Sequence, residues 1–173
     1  MVNARGFTMV EMLVTISIVG ILAAIAYPSF ARIIQRTRIK SESNLISTDL
    51  FYMRGEAMKR SAVVSMCPSS DGASCTGGSW SSGRIIFSDQ NADGLVTVGK
   101  DTVLQVRPAT AGTSSIAVTG FGAGTYIQYT PTGQVVAAGL IKICDSVLSG
   151  ASGISQSVLI TGLVHATSGL TCP

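Results

Sequence analysis

At 173 residues the chain has room for one modest domain plus something elongated, and not for two full globular domains. Only 12% of its residues are charged against 46% hydrophobic, and a net charge of +3 is too small to argue for nucleic acid by itself. The single histidine, His165, argues against a His-built metal centre or a catalytic triad.

Much of the apolar excess sits in one block, Phe7 to Ala26, whose only ionisable side chain is Glu11. A run of about 20 apolar residues matches a bilayer span, whereas a secretory signal needs a core of only ~7–15 residues and a small-residue cleavage site. Tyr27-Pro28-Ser29-Phe30 behind the run is not such a site. A carboxylate inside the span costs on the order of 2.5–3.5 kcal/mol on insertion scales, so Glu11 needs a partner that a plain signal anchor does not supply. A cut between Gly6 and Phe7 creates one: a new α-amino group, which pairs with Glu11 in the same subunit or in a neighbour. Arg32, Arg36, Arg38 and Lys40 follow the span, and the positive-inside rule alone places them in the cytoplasm. Paired cysteines and a processed leader require the opposite orientation, with the C-terminal part outside.

The cysteines are Cys67, Cys75, Cys144 and Cys172. An even number in an exported chain reads as two disulfides, Cys67–Cys75 and Cys144–Cys172, the second stapling down a C-terminus that would otherwise fray. A zinc site built from all four is the alternative, although no pair has the short C-x2–4-C spacing.

Beyond Pro28 the chain stays helix-compatible to about Arg60, with no glycine until Gly55 and with Ile39, Ile46, Leu50, Met53 and Ala57 recurring at helical spacing. This stripe is expected to pack on the chain's own sheet rather than form a coiled-coil seam. One helix from Phe7 to Arg60 would be roughly 80 Å long, apolar all round in its first half and one-sided in its second. After Arg60 come short β-branched runs: Ala62–Met66, Arg84–Ser88, Thr102–Arg107, Ser115–Thr119, Thr125–Thr130, Gln134–Ala137, Leu140–Cys144, Ser157–Thr161 and Leu163–Ala166. Gly133-Gln134 and Ala138-Gly139 mark turns, and Ser146 to Ser155 reads as a loop. The expected organisation is a leader over 1–6, a transmembrane helix over 7–30, an amphipathic helix over 31–61 and a β-rich head over 62–173. Strands following one long helix predict an α+β fold with antiparallel sheet.

Little else carries chemistry. Asp89, Asn91, Asp93 and Gly94 follow the D-x-N-x-D-G opening of a calcium loop, but Lys100 stands at the twelfth position, where the bidentate Glu belongs. The segment reads better as a polar turn after the Arg84–Ser88 strand, with Gly94 at positive φ. There is no P-loop, GxSxG, HExxH or paired-carboxylate spacing, no cofactor is implied, and the chain does not read as an enzyme. His165, in an apolar strand, reads as structural.

The run Gly6-Phe7-Thr8-Met9-Val10-Glu11-Met12-Leu13 resembles the class III signal of type IV prepilins and type II secretion pseudopilins. The shared features are a short leader carrying a basic residue (Arg5), Gly before the cut, an aromatic after it and Glu at the fifth mature position. Pro28 falls where pilin helices carry a kinking proline. The resemblance implies cleavage after Gly6 and N-methylation of Phe7 by a prepilin peptidase. It further implies assembly with other major and minor pilins through the helix, using an inner-membrane assembly platform. The precursor would sit in the bacterial inner membrane with its head in the periplasm, and later in the pilus at the cell surface.

The head is similar to the GspH/FimT family in Trp80, Gly83, the Ile85-Ile86-Phe87 strand, Asp89, the Asn91-Ala92-Asp93-Gly94 turn, and the Ser157–Thr161 strand followed by Gly162. Members are minor components thought to prime filament assembly near the tip. A bridge from Cys144 to Cys172 looks more like the pilus minor pilins than the secretion pseudopilin. Some members capture DNA through a C-terminal G-R-x-R motif. Here the matching Gly162-Leu163-Val164-His165 lacks both arginines, and the only Lys or Arg beyond Arg60 are Arg84, Lys100, Arg107 and Lys142, which argues against DNA as a partner. The resemblance therefore implies a structural minor pilin that links priming subunits to the shaft. A type II secretion pseudopilin and a DNA-binding competence pilin are the alternatives.

Overall fold

Thr8 and Glu11 open the long helix. Thr8 Oγ1 accepts from Glu11 N at 3.3 Å, and Glu11 Oε2 accepts from Thr8 N at 3.5 Å, the reciprocal pair of a capping box. Helix α1 then runs Met9–Arg60, ending on the basic Lys59 and Arg60, which suit the negative end of the helix dipole. Ser61 follows at φ 51°, and Ala62 N donates back to Ala57 O, a left-handed cap. The computed structural model describes residues 7–110, 112–122, 125–145 and 150–172, leaving aside the side chains of residues 28, 29, 150 and 151. The chain divides into two compact units, Met1–Arg36 and Thr37–Pro173.

In the first unit, residues 7–27 are exposed on every side, as an apolar helix without a partner must be. Its hydroxyls are absorbed by its own backbone: Thr15 Oγ1 donates to Glu11 O at 2.6 Å and Ser17 Oγ to Leu13 O at 2.8 Å. Such back-bonding lets Ser and Thr sit in an apolar medium without an orphaned group. The kink expected at Pro28 falls on a side chain outside the described residues, as does Gly6.

In the second unit two sheets share a core with the rest of α1. Sheet A has the order β3 (Thr102–Arg107), β2 (Arg84–Asp89), β1 (Val63–Pro68), β5 (Ile127–Tyr129); sheet B has β4 (Ser114–Gly120), β6 (Gly139–Asp145), β7 (Gly150–Val158), β8 (Val164–Cys172). Every pairing between neighbours is antiparallel. The predicted helical stripe of Ile39, Ile46, Leu50, Met53 and Ala57 is buried in one cluster with Met66, Ile86, Tyr129, Ile141 and Ile143 from both sheets. Each large member contributes about 1.5–3 kcal/mol by leaving water. A polar pin adds to it: Gln156 Nε2 on β7 lies 2.6 Å from Ser43 O and 2.9 Å from Ser47 Oγ on α1.

β1 and β2 are buried on both faces. The face away from the helix holds Cys67, Ile85 and Phe87 under Cys75, Val96, Val103 and Tyr126, a second small core. The Cys67–Cys75 disulfide is part of that cover, and Cys144–Cys172 joins β6 to the end of β8.

Three predicted strands differ. Gln134–Ala137 forms only a bridge from Val135 to Tyr129, because Val135 N donates to Ile160 O while Val136 N donates to Gln128 O, so its backbone bonds are split between two partners. Residues 150–155, read as loop, open β7, and β7 stops at Val158; Leu159 to Gly162 turn instead, with Gly162 N donating to Leu159 O at 2.8 Å. β8 continues past Ala166 to Cys172. The glycine that disguised β7 has a packing cause: a Cβ on Gly153 would sit 2.5 Å from Cys172 Sγ and 3.0 Å from Ile143 O. The rest of the predicted 146–155 loop, residues 146–149, lies outside the described residues.

Candidate functional site

Two sites can be built from the residues upward, one in each unit. In the first, at the start of α1, Phe7 precedes the cap and Glu11 occupies the third helical position, with its carboxylate turned back to Thr8 N. The helix N-terminus favours an anion at this place. Glu11 therefore stands at the exposed start of an apolar helix, next to the residue that would carry a new amine after cleavage. Among the described helices α1 alone is long and apolar enough to cross a membrane, and none of its apolar window is buried.

The second site is a charge cluster that reading the sequence did not single out. Arg84 and Arg107 lie directly opposite each other in the β2–β3 ladder. Like charges so placed repel, and here they are satisfied by an anion from another element. Asp49, on α1 and fully buried, accepts from Arg84 Nε (2.9 Å) on one oxygen and from Arg107 Nε (2.9 Å) on the other; each arginine's Nη2 also reaches the same oxygen. Glu42, two turns earlier on the same face of α1, takes Arg84 Nη1 at 2.9 Å. The cluster fastens α1 to sheet A through charge-assisted forks rather than packing alone. A sequence signal did exist: two arginines at the ends of otherwise apolar strands, and an aspartate beside Leu50 on the buried stripe.

The calcium-like residues are used differently from the loop they resemble. Asp89 is fully buried, and its Oδ2 accepts from Ser65 Oγ at 2.6 Å, Gly94 N at 2.9 Å and Gln128 Nε2 at 3.0 Å, tying β1, β5 and the turn together. Asp93 is occupied within the turn, by Leu95 N and Asn91 Nδ2. Asp101 closes the same loop through Gln90 N and Thr97 N. Among the described residues no group of three or more His, Cys, Asp or Glu converges as a metal site would need. Gly94 has φ 76°, and a Cβ there would lie 2.3 Å from the Tyr126 ring, so the turn requires glycine both for its backbone and for that ring. In the loop closed by Cys67–Cys75, Asp71 caps a turn: Ser74 hydroxyl and N–H, Ala73 N–H and Ser69 hydroxyl hold its carboxyl far below the usual carboxylate range. His165 is exposed on β8 and lends its carbonyl to Ser157 Oγ.

A long apolar helix leading into antiparallel sheets, with a methylation-type segment at its start, defines the pilin-like fold. Residues 1–27 match the prokaryotic N-terminal methylation motif and residues 42–163 match the type II transport protein GspH model. The chain belongs to the GspH family of type IV minor pilins and pseudopilins. It is similar in fold to the Pseudomonas aeruginosa type IV minor pilin FimU in two crystal forms. One matches at TM-score 0.60 and 17% identity, covering 80% of this chain and 98% of FimU; the other at TM-score 0.53 and 15% identity, covering 78% and 99%. The apolar helix and the motif together indicate membrane anchoring before assembly.

Proposed function

We propose that the chain is a structural minor pilin of a type IV pilus, cut between Gly6 and Phe7, methylated at Phe7 by a prepilin peptidase, and assembled through α1 as a priming or linking subunit. The observation that carries this reading is the capped start of α1, where Glu11 stands beside the future amine at the head of an apolar helix exposed on every side. In the membrane the bare helix is held by lipid. In a filament the same surface meets the helices of other major and minor pilins, and Glu11 of an arriving subunit pairs with the Phe7 amine of its neighbour. The inner-membrane assembly platform is the remaining partner, and the head lies in the periplasm before assembly. The likeness to FimU and the terminal Cys144–Cys172 bridge support placement in a pilus.

A second reading, a minor pseudopilin of a type II secretion system, is favoured by the description of the matching family model. Capture of DNA has less support than the count of cations alone indicates. Of the four Lys and Arg beyond Arg60, Arg84 and Arg107 are committed to Asp49, leaving Lys100 and Lys142. Mass spectrometry of filaments sheared from cells tests the proposal. A low-abundance chain beginning with methylated Phe7 is expected. Processed chain confined to the inner membrane would favour the secretion pseudopilin, and an uncut Met1 terminus in cells with an active peptidase would overturn both.

A further inference from the structure

Sheet B ends on β8, and the free side of that strand is uncovered. The carbonyls of Leu163, His165 and Thr167 turn towards β7 and the turn that follows it: Leu163 O accepts from Leu159 N at 2.9 Å, His165 O from Ser157 Oγ at 3.3 Å and Thr167 O from Ser155 Oγ at 3.5 Å. Main-chain groups alternate in direction along a strand, so the N–H and C=O of Val164, Ala166 and Ser168 turn outward. Among the described residues no main-chain or side-chain group meets them. The other sheet edges are closed or blunted. Beyond β5, Val136 N donates to Gln128 O and Val135 bridges to Tyr129. On β4, Ile116 N donates to Ser81 Oγ at 2.8 Å and Ser114 O accepts from Thr110 Oγ1 at 3.3 Å. β3 is six residues long and carries Arg107. β8 has none of these guards: its nine residues include no Lys, Arg, Asp, Glu or Pro, and His165 to Gly169 are exposed on both faces. An edge of that kind is a template for another strand. It is also held in shape, because the disulfide from Cys172 to Cys144 pins its far end to β6. Gly169 at φ 90° and the register shifts opposite it bound the straight stretch at Val164–Ser168.

We propose that β8 is a docking edge for a partner protein, a neighbouring subunit that lays an extended, uncharged segment along Val164–Ser168 as a fifth strand of sheet B. The outward N–H and C=O groups of Val164, Ala166 and Ser168 bond the incoming main chain, which supplies the affinity. Leu159, Ile160 and Leu163 stand exposed at the head of the edge and cover an apolar residue at the end of the incoming strand. Symmetry sets a second copy of this chain aside as the occupant. Two copies of β8 paired antiparallel are related by a two-fold axis normal to the sheet, which reverses any element lying along it. Residues 37–60 of α1 pack on the sheets, so their two copies would run in opposite directions, although both chains are rooted in one membrane by the residues before them. A strand from a different subunit carries no such constraint. Because the edge is already ordered, little freedom is lost on binding. The proposal rests on the reading of the chain as a subunit that packs against other pilins, and it assigns one contact of the head.

Its test follows amide hydrogen exchange in the purified full chain in a non-ionic detergent, with and without a hexapeptide of alternating Thr and Val. The peptide should slow the amides of Val164, Ala166 and Ser168 about tenfold or more, and leave those of His165 and Thr167, already bonded to β7, little changed. The same peptide N-methylated at every amide cannot donate and should give no protection. Ala166→Pro removes one outward N–H without touching the β7 ladder, and Ala166→Lys sets a charge beside the edge; each should weaken binding about fivefold or more. Equal binding of the N-methylated peptide, no protection, protection spread evenly over the strand, or full affinity in whichever of these variants melts like the parent overturns the docking edge. A dimer that protects the same amides without any peptide would make a second copy the occupant and overturn the partner strand. Absence of the chain from sheared pili would count against the filament reading and leave these exchange results intact, so the two failures are distinguishable.

Discussion

Replacing Asp49 by alanine would isolate the charge cluster's contribution. Asp49 is 0% exposed and Arg84 2% exposed, and the carboxylate takes Nε and Nη2 of both arginines at 2.8–2.9 Å. Its loss leaves Arg84 with only Glu42, and sets it against Arg107 across the ladder with no anion between them. Breaking a buried pair on one side costs about 3–5 kcal/mol, because the remaining charge is stranded away from water. For a unit of this size each kcal/mol moves Tm by about 3–6 °C, so D49A should melt about 10–30 °C lower. Trp80, the chain's single tryptophan, is buried in the main core and reports the transition by fluorescence in the detergent-solubilised full chain. The deficit should persist in high salt, since a buried pair is screened little. Lys59→Ala is the control: its ion pair to Glu56 is at the surface, with the lysine side chain 74% exposed, and should change stability by under about 1 kcal/mol. A D49A variant within about 1 kcal/mol of the parent would refute the claim that the cluster anchors α1 to sheet A.

The disulfides should differ in value. Chain entropy over 28 residues assigns about 3.5 kcal/mol to Cys144–Cys172, and over 8 residues about 2.5 kcal/mol to Cys67–Cys75, so the paired Ser variants should fall in that order of Tm; the reverse order would mean native packing outweighs loop closure. Glu11→Ala should insert in the membrane normally yet fail to enter filaments, and normal piliation by this variant would sink the charge-pairing argument. Burial pushes the Tyr129 phenol up to about 12. The folded state thus resists its ionisation, and stability is intact below the unfolded value near 10 and lost as pH rises towards 12. Tyr129→Phe should flatten the alkaline part of the stability curve between those values, and an unchanged slope in the variant would assign the loss to another group.

What the sequence determined by itself was everything carried by short-range pattern. The apolar run from Phe7, the stripe from Ile39 to Ala57 and the β-branched runs such as Ile85-Ile86-Phe87 each state their own conformation within a few residues. The cysteine spacing likewise sufficed for both bridges. Residues 150–155 were illegible as strand because their Gly and Ser gain nothing locally; the strand forms because β6 and β8 offer ladders on both sides and the disulfide sulfur needs the space over Gly153. The segment at Asp89 read as a polar turn rather than a calcium loop, but that its carboxylate holds Ser65 and Gln128, 24 and 39 residues away, only the fold decided. Arg84 and Arg107 were only two of four cations beyond Arg60 until the fold set Asp49, 35 and 58 residues distant, between them. Partners so far apart leave no periodicity to read, and only the closure of α1 onto sheet A makes their charges one site.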